Sequence, residues 1–364
     1  MKVKLGDVCD RGSSNLKQSD VINQNGQYPV YGAAGLLGNI DSYHQDKPYV
    51  AVVKDGAGIG RVTLHPGYSS VIGTLQYLLP KENVLPEYLY YVTKHMHLEK
   101  YYTGATIPHI YFKDYKNEKF NLDTIENQQR IVDILKKTEN IIESRQQELQ
   151  KLDDLIRARF IELFGDPVTN PYGWQQLTVN DVCVSVVRGP FGSALKKEFF
   201  VPPSDTTYKV YEQKHAIQKS STIGTYYVTA EKYNELRRFE CHSGDILMSC
   251  SGTLGELYQL PAGCERGIIN QALCKFTLNE SILPIVFLAY MRETIGNLET
   301  KGSGIQNIAA VSYVKAMSIN LPPMRVQQQF ADFVTQIDKS KATVQKALDE
   351  TQLLFDSLMQ QYFG

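Results

Sequence analysis

The amino-acid sequence predicts an α+β fold: two mixed α/β domains separated by two long antiparallel helices that form a coiled coil. Three observations lead to this prediction. An internal repeat spans nearly the whole chain, each repeat ends in a helical segment of about 40 residues, and each begins with short strand-like runs. Because equivalent units tend to associate with twofold symmetry, as homodimers do, the repeat also predicts a pseudo-twofold arrangement.

The repeat is clearest where the helical segments begin and end. Gln128 and Gln327 stand near the two starts, and Phe164 and Phe363 stand at the two ends, each pair at an offset of 199 residues. Equal offsets at both ends mean that the two segments have the same length. Chance similarity between two helices is the alternative explanation for these matches.

The same order continues upstream of the helical segments, with a changing offset. Residues 51–60 resemble 246–255 at an offset of 195, and residues 5–9 resemble 179–183 at an offset of 174. Chance would not preserve one order over nearly the whole chain. The repeats therefore differ in the length of their globular parts, whereas the helices match.

The sequence divides into four parts on this pattern. We predict a first domain at residues 1–124, a first helix at 125–164, a linker with a second domain at 165–323, and a second helix at 324–364. The linker, residues 165–174, is rich in glycine and proline, which end helices and favour turns.

Short segments inside each domain carry strand or helix patterns. The apolar runs at 49–53, 74–79 and 245–248 predict strands. Residues 86–102 and 284–298 each begin with proline and predict short helices. Both domains are therefore expected to mix strands and helices.

The two helical segments carry an apolar residue every three or four positions, which predicts an amphipathic helix about 60 Å long. An isolated helix of this kind is marginal in water, so the stripe needs a partner. The other helix is the simplest partner; the alternative is that each helix packs on its own domain. The residues expected to join the helices or to bind a partner are Ile131, Leu135, Ile142, Leu149, Ile156, Phe330, Val334, Ile337, Val344 and Leu348.

The glycine-rich segment from Lys54 to Arg61 has two interpretations. Its Gly-x-Gly-x-Gly run could cradle a phosphate, but a dinucleotide site needs Gly-x-Gly-x-x-Gly followed by a helix. Strand-like residues follow instead, from Val62 onward. A tight turn between two strands is therefore the preferred prediction.

The sequence contains no familiar catalytic motif. It lacks a Gly-x-x-x-x-Gly-Lys nucleotide loop, a His-Glu-x-x-His metal site and a Gly-x-Ser-x-Gly elbow. Asn170 to Tyr172 resembles a methyltransferase motif with one proline missing, and its position predicts a linker turn. His95 and His97 lie two residues apart in a predicted helix, where they would face away from each other.

Composition narrows the class of protein further. The six cysteines form no Cys-x-x-Cys pair, so neither a disulfide framework nor a zinc site is expected, and reduced thiols fit a cytoplasmic location. The N-terminus does not resemble a signal peptide, and no apolar run reaches the roughly 20 residues of a membrane span. A net charge of −1 argues against a uniformly basic nucleic-acid-binding protein, although local basic patches can still bind phosphate.

This organisation resembles the specificity (S) subunit of type I restriction–modification systems over essentially the full chain. Several short motifs, each weak alone, match the family in duplicated order: residues 54–61, 104–110, 163–166, 302–308 and 321–328. The departures are modest. The first helix is preceded by Asn121 to Asp123 where the family has Leu-Pro-Pro, and Asn127 and Val326 replace the family's glutamate before glutamine.

The resemblance implies that the chain is a non-catalytic subunit whose two target recognition domains each read one half of a split, asymmetric site in double-stranded DNA. The helices would fix the spacing between the halves. Modification subunits, expected to number two, would dock on the helical region and methylate adenine with S-adenosylmethionine. Restriction subunits would add ATP- and Mg-dependent translocation and cleavage. No cofactor or metal is expected in this chain, and no membrane partner.

Basic, polar and aromatic side chains would contact phosphates and base edges in such a protein. In the first domain we expect these contacts from Lys54, Arg61, His109, Tyr111 and Lys113. In the second domain we expect them from Arg188, Lys196, Lys197, Lys214, Arg237, Arg238 and Gln306.

Two other functions remain open at this stage. One is a coiled-coil adaptor or scaffold whose domains bind protein, which the salt dependence of DNA binding would distinguish. The other is an autonomous enzyme, against which the missing methyl-donor and nucleotide motifs argue.

Overall fold

The structure is a computed structural model that describes residues 1–22, 24–104, 108–295, 300–301, 307–308 and 311–364, with only the backbone described at 300–301 and 307–308. The chain forms two compact units. The first comprises residues 1–149 and 343–364, and the second comprises residues 150–342. Each long helix therefore contributes one part to each unit.

The first unit combines short strands with helices. In chain order they are β1 (Lys2–Lys4), α1 (Leu5–Val8), β2 (Cys9–Ser13), β3 (Tyr28–Gly32), β4 (Gly35–Ile40), β5 (Tyr49–Val53), β6 (Val62–His65), β7 (Ser70–Val71), β8 (Leu75–Pro80), α2 (Pro86–His95), α3 (Phe112–Tyr115), β9 (Lys119–Asn121) and the first part of α4 (Ile125–Phe164).

The second unit repeats this composition with additions. In chain order it contains β10 (Gln175–Thr178), β11 (Cys183–Arg188), β12 (Thr207–Tyr211), α5 (Gln213–Ile217), β13 (Tyr227–Thr229), α6 (Ala230–Glu235), β14 (Glu240–Cys241), β15 (Ile246–Ser249), β16 (Leu257–Gln259), β17 (Gly267–Ile269), β18 (Leu273–Leu278), α7 (Pro284–Thr294), β19 (Thr300–Lys301), β20 (Asn307–Ile308), α8 (Val311–Lys315), β21 (Ser318–Leu321) and the first part of α9 (Met324–Phe363).

The internal repeat extends to sheet topology. An antiparallel sheet with strand order β2-β8-β5-β6 in the first unit corresponds to β11-β18-β15-β16 in the second. A second sheet, β4-β3-β7, corresponds to β13-β12-β17, each with one antiparallel and one parallel pairing, and the second unit adds β14. The pairs β1-β9 and β10-β21 also correspond. The two units thus share one strand arrangement.

Strand β5 shows why the apolar runs form strands. Successive side chains of a strand point to opposite faces, and all five side chains of β5 are buried. Val50 and Val52 enter one core, which contains α2, whereas Tyr49, Ala51 and Val53 enter another. A strand that is covered on both faces has a continuous run of apolar residues in its sequence, and β5 has such a run.

The short helix α2 is shorter than the sequence predicted. It begins at Pro86 as expected but ends at His95, not at Tyr102. His97 adopts a left-handed backbone with φ of 49°, which turns the chain out of the helix and directs it to the buried Leu98. His95 and His97 are therefore not both helical, and their ring centroids lie 6.2 Å apart. Helix α7 ends at Thr294, and residues 296–298 of its predicted range lie outside the described residues.

Both long helices extend over 40 residues, as the repeat predicted. The start of α4 and the end of α9 share the first core, where Leu135 and Phe363 are buried. The end of α4 and the start of α9 share the second core, where Phe164 and Phe330 have ring centroids 5.1 Å apart. The helices are antiparallel in each unit. Each helix packs both on the other helix and on its own domain. Both of the packing arrangements considered above therefore occur.

The linker after α4 folds as predicted from its glycine and proline content. Gly165 has φ of 77° and its amide donates to Ile161, which ends the helix. The Asn170 side chain then both accepts from and donates to the backbone of Trp174 (2.9 and 2.8 Å). Asn170 to Tyr172 is therefore a turn, as the sequence analysis preferred.

A buried glutamine fixes the start of each long helix. The Gln128 side-chain oxygen accepts from the Leu85 amide (2.8 Å), and its nitrogen donates to the carbonyls of Asn83 and Asp123 (2.9 Å each). Gln128 is fully buried, so these bonds replace contacts with water that the groups lose on folding.

Gln327 makes the equivalent bonds in the second unit. Its side-chain oxygen accepts from the Leu283 amide (2.9 Å), and its nitrogen donates to the carbonyls of Ser281 (2.9 Å) and Pro322 (3.0 Å). Both glutamines join a helix start to the loop before α2 or α7. We call this arrangement of Gln128 and Gln327 the glutamine clamp.

Replacing Gln327 with alanine should destabilise the second unit by roughly 3 kcal/mol, because one buried and two partly buried backbone groups lose their partner. Gln328→Ala is the matched control: Gln328 bonds only to Asp332 on the exposed helix face, so its loss should change stability by less than about 0.5 kcal/mol. Urea unfolding followed by the fluorescence of Trp174, the single tryptophan of the chain, measures both. Equal effects of the two variants would contradict the clamp.

His65 should make the first unit sensitive to acid. Its ring packs against Tyr31 and Tyr49, and this burial lowers its pKa from 6.5 to about 4. As pH falls below 6.5 the unfolded chain takes up a proton that the folded chain excludes, so stability present above pH 6.5 is lost toward pH 4. Between pH 7 and pH 5 this loss amounts to roughly 2 kcal/mol.

The variant His65→Gln should remove that part of the pH dependence, measured by hydrogen exchange of the β5 amides at pH 7 and pH 5. His97→Asn, at an exposed histidine of the same unit, should retain it. An unchanged pH dependence in His65→Gln would show that other groups cause the acid sensitivity.

Candidate nucleic-acid interface

The predicted DNA-contacting residues of the first unit gather at one end of the four-stranded sheet. This end is where β5 finishes, with Val53 opposite Leu75 and Ser13 opposite Gln76 in the strand register. The segment from residue 54 to 61 leaves the sheet here and returns as β6. Loops held at the end of a rigid sheet are common positions for binding residues.

The glycine-rich segment is a hairpin loop, as the sequence analysis preferred. The Val53 amide donates to the Arg61 carbonyl and the Gly60 amide donates to the Val53 carbonyl, each at 2.9 Å. At Gly60, φ is 80° and a side chain would approach the Glu99 backbone nitrogen to 2.5 Å, so only glycine fits. A strand, not a helix, follows the loop, which removes the basis for a dinucleotide site.

A segment distant in sequence docks on this loop. The Gly56 amide donates to the Pro108 carbonyl, and the Ile110 amide donates to the Lys54 carbonyl, each at 3.0 Å. The His109 ring nitrogen Nδ1 contacts the Asp55 carboxylate. Residues more than 50 positions apart therefore form one continuous surface.

Aromatic and basic side chains lie in contact on that surface. The Tyr111 ring centroid lies 4.1 Å from that of His109, and Lys113 Nζ lies 5.1 Å above the Tyr111 ring. Tyr111 is exposed despite these contacts. The structure thus brings together Lys54, His109, Tyr111 and Lys113, four of the five residues predicted for this domain.

Arg61, the fifth residue, lies at the far end of the same loop. Its guanidinium donates to the Ala33 carbonyl (2.9 Å) and so connects the loop to the turn between β3 and β4. Leu36, on this hairpin, is 63% exposed. Sequence reasoning missed Leu36, because an apolar residue next to a turn normally signals a core position.

The second unit presents the equivalent end of its sheet differently. Ser249 ends β15 opposite Leu273, and Arg188 ends β11 opposite Cys274, so Arg188 lies beside the loop after β15. Its guanidinium lies 4.9 Å from the centroid of the Phe191 ring, and this ring is 64% exposed. Phe191 was not predicted, although an aromatic residue within a Gly-Pro-Phe-Gly turn is unusual enough to mark a surface role.

The other basic residues predicted for this domain border its second sheet. Leu195 and Leu236 belong to one small core under β12 and β17, and Lys196, Lys197, Arg237 and Arg238 follow them directly in sequence. These four side chains are exposed. Gln306 lies outside the described residues.

Several of these cations have acidic neighbours. Lys196 approaches Glu198 (3.6 Å), Lys214 approaches Glu212 (2.8 Å), and Arg237 approaches Glu240 (3.8 Å). Lys214 Nζ also lies 5.3 Å from the Tyr226 ring centroid. Only the Lys196 pair is exposed on both sides, so it is weak; Glu212 and Glu240 are largely covered.

The helix positions predicted for helix joining or partner docking are largely covered. Ile131, Leu135, Phe330, Val334 and Val344 are buried, and Ile142, Leu149, Ile156, Ile337 and Leu348 are half-buried. Leu155 and Leu354, which occupy equivalent positions in the two helices, are instead exposed (46% and 54%).

Two kinds of feature are absent from the part of the chain that the structure describes. No group of three or more His, Cys, Asp or Glu side chains there is arranged to hold a metal ion. None of the helices there combines the length and the hydrophobicity of a membrane span.

Two units with one strand arrangement, joined to a pair of antiparallel helices and carrying basic and aromatic loops, define a class of duplicated recognition protein. Residues 1–154 and 171–351 match the family model described as the type I restriction modification DNA specificity domain. These matches cover most of the chain, which therefore belongs to this family of DNA sequence-specificity subunits.

Solved structures share the fold. The S subunit of a type I restriction-modification system from M. genitalium is 15% identical, with 100% of this chain and 96% of that chain covered and a TM-score of 0.57. A structure described as the basis of complex assembly and conformational transition of the type I R-M system is 14% identical, with 100% and 97% covered and a TM-score of 0.60. The predicted α+β fold with two long antiparallel helices is confirmed.

Lys54 and Lys47 offer a matched test of the interface, because they bracket β5 and lie at opposite ends of it. If the loop end contacts phosphate, Lys54→Ala should reduce the slope of log affinity against log salt by about 0.9. Lys47→Ala should leave the slope unchanged. Fluorescence anisotropy of the assembled complex on its target duplex over a range of salt concentrations measures both slopes.

The reverse result, a slope reduced only by Lys47→Ala, would place the DNA at the other end of the sheet. Circular dichroism of both variants controls for folding, since Lys47 is exposed and Lys54 is half-buried, so that loss of either side chain should change stability by no more than about 1 kcal/mol.

Proposed function

We propose that this chain directs a type I restriction–modification complex to a bipartite, asymmetric DNA sequence, with one half-site read by each recognition domain. We take residues 1–124 and 165–323 as the two recognition domains and 125–164 and 324–364 as the helices that set the spacing between the half-sites. The chain would position the methyl transfer and cleavage reactions of its partners without carrying them out.

One observation supports this function above all others. The two units have corresponding four-stranded sheets, and the equivalent ends of these sheets carry different side chains. The first unit offers Lys54, His109 and Tyr111 there, whereas the second offers Arg188 and Phe191. Two units with the same strand arrangement but different surface side chains suit two DNA half-sites that differ in sequence. Identical surfaces would instead suit a palindrome, as in dimeric repressors.

The side chains at these ends divide by their chemistry. Lys54, Lys113 and the exposed lysines and arginines of the second unit would neutralise phosphates, which supplies affinity without sequence information. Arg61, Arg188 and His109 can donate hydrogen bonds to base edges in the major groove, where each base pair has a distinct donor and acceptor pattern. Sequence specificity is therefore expected from the second group.

The partners would be two modification subunits and the restriction subunits. Leu155 and Leu354 recur at equivalent helix positions, so each of two modification subunits could meet a similar exposed leucine. These partners would bring S-adenosylmethionine, ATP and Mg, and the modification subunit would withdraw the target adenine from the duplex. An adaptor whose domains bind only protein is not favoured, because the family is one of DNA specificity.

Exchange of residues 1–124 for the equivalent domain of another specificity subunit should change one half of the methylated sequence only. The chain would be co-expressed with its modification subunit in a host free of adenine methylation, and the methylated motifs read by sequencing. The unexchanged chain should give one bipartite motif with two different halves.

Exchange of residues 175–323 is the matched control and should change the other half. A variant in which both halves change would contradict the modular assignment. Methylation at a continuous, undivided sequence would contradict the proposed function as a whole.

A further inference from the structure

The second unit has an open cleft between the end of α4, helix α7 and the start of α9. Its volume is about 680 Å³. Apolar side chains form its floor, including Ile156, Leu288 and Ala289, while Arg292 and Asp338 stand among the charged residues of its rim. Two ion pairs cross the rim between helices, Arg157 to Glu293 (3.0 Å) and Lys341 to Asp153 (2.6 Å).

The equivalent place in the first unit is filled by aromatic rings. Tyr91 and Phe355 have centroids 6.4 Å apart in an edge-on arrangement. The Tyr91 hydroxyl donates to the Glu139 carboxylate (2.6 Å), and Lys94 Nζ donates to the same carboxylate (2.9 Å). Lys94 Nζ also lies 5.5 Å from the centroid of the Phe355 ring. Burial raises the pKa of Tyr91, so its hydroxyl keeps its proton.

The internal repeat shows which substitutions open the cleft. At the offset of 198 that relates α2 to α7, Tyr90 becomes Leu288, Tyr91 becomes Ala289 and Lys94 becomes Arg292. At the offset of 199 between the long helices, Glu139 corresponds to Asp338 and Phe355 to Ile156. Three large rings are thus replaced by smaller side chains, while the acid and the base remain.

The second unit has not simply lost its aromatic packing. Its rings lie one layer deeper, where Phe160, Tyr290 and Phe330 contact one another with centroid distances of 5.1 Å and 5.8 Å from Phe160. Their counterparts in the first unit are Met359, Val92 and Ile131, which are not aromatic. The aromatic layer therefore closes the bottom of the cleft, and the cleft opens to the surface of the unit.

We propose that this cleft receives an aromatic side chain of one modification subunit, and that the first unit fills the equivalent place with its own Tyr91 and Phe355. The inference rests on the proposed function for the identity of the partner. The first unit shows that aromatic rings fit this frame. Asp338 supplies the acceptor that Glu139 supplies to Tyr91, so a tyrosine or tryptophan of the partner has a hydrogen-bond acceptor at the rim.

One consequence is that the two modification subunits bind with unequal affinity. Only the one on the second unit gains the burial of an aromatic ring, which corresponds to roughly a 10- to 100-fold difference in dissociation constant. Similar docking surfaces on the two helices would otherwise predict equal affinities.

The test fills the cleft with the residue that the first unit already uses. Ala289→Tyr should weaken the tighter of two binding steps roughly 10- to 100-fold and leave the weaker step unchanged. Ala289→Ser keeps the cleft open and is the matched control. Calorimetric titration of the full chain with its modification subunit measures both steps, and Trp174 fluorescence confirms that the second unit remains folded.

A second variant keeps the test valid if Ala289→Tyr fails to fold. Ile156→Phe copies Phe355, narrows the cleft from the opposite helix and should have the same direction of effect. Asp338→Asn keeps the volume but removes the charge, and should weaken the tighter step by several-fold without affecting the weaker one.

Two equal affinities in the unaltered chain, or unchanged binding in both filled variants, would overturn the inference and leave the proposed function intact. Failure of the unaltered chain to bind the modification subunit at all would overturn both. Dimerisation of the chain alone that Ala289→Tyr abolishes would identify a second copy as the occupant and would also overturn the inference.

Discussion

The buried amide at the start of each long helix is the interaction on which the rest of the arrangement depends. Gln128 and Gln327 each bond to three backbone groups, two in the loop before a short helix and one in the segment just before the long helix. A side-chain amide suits this task because it both donates and accepts. Any function that needs a recognition domain to keep a set orientation to its helix depends on this clamp, and a leucine of similar size could not replace it.

Around this clamp the two units keep their strand order but change their packing. The central strands β5 and β15 are buried in both units, and each divides its side chains between two cores. The aromatic rings, by contrast, occupy different places: Tyr91 and Phe355 fill the first unit where the second unit has its cleft, whereas Phe160 and Phe330 line that cleft from the core of the second unit. Cores tolerate such exchanges when the overall volume is kept. Here the volume is redistributed, which leaves one unit with a cleft.

The candidate interface follows from the same frame. A hairpin loop at the end of a sheet needs glycine where another segment approaches its backbone. Gly60 is such a position, because the Glu99 backbone lies too close for a side chain. Exposed side chains can then vary without disturbing the sheet, since the backbone bonds of the loop are already made. This explains how Tyr111 and Phe191, which differ in sequence context, both lie exposed at equivalent ends of two equivalent sheets.

The sequence by itself determined the repeat, the two 40-residue helices, the strand β5 and the turn at Gly60, because periodicity, composition and spacing are local properties. It did not determine where α2 ends, because the left-handed His97 is held by the burial of Leu98. Nor did it indicate that Lys54 and His109 meet, that Leu36 and Phe191 are exposed, or that Ala289 borders a cleft. Those features depend on contacts between residues far apart in the chain, and only the tertiary structure decides them.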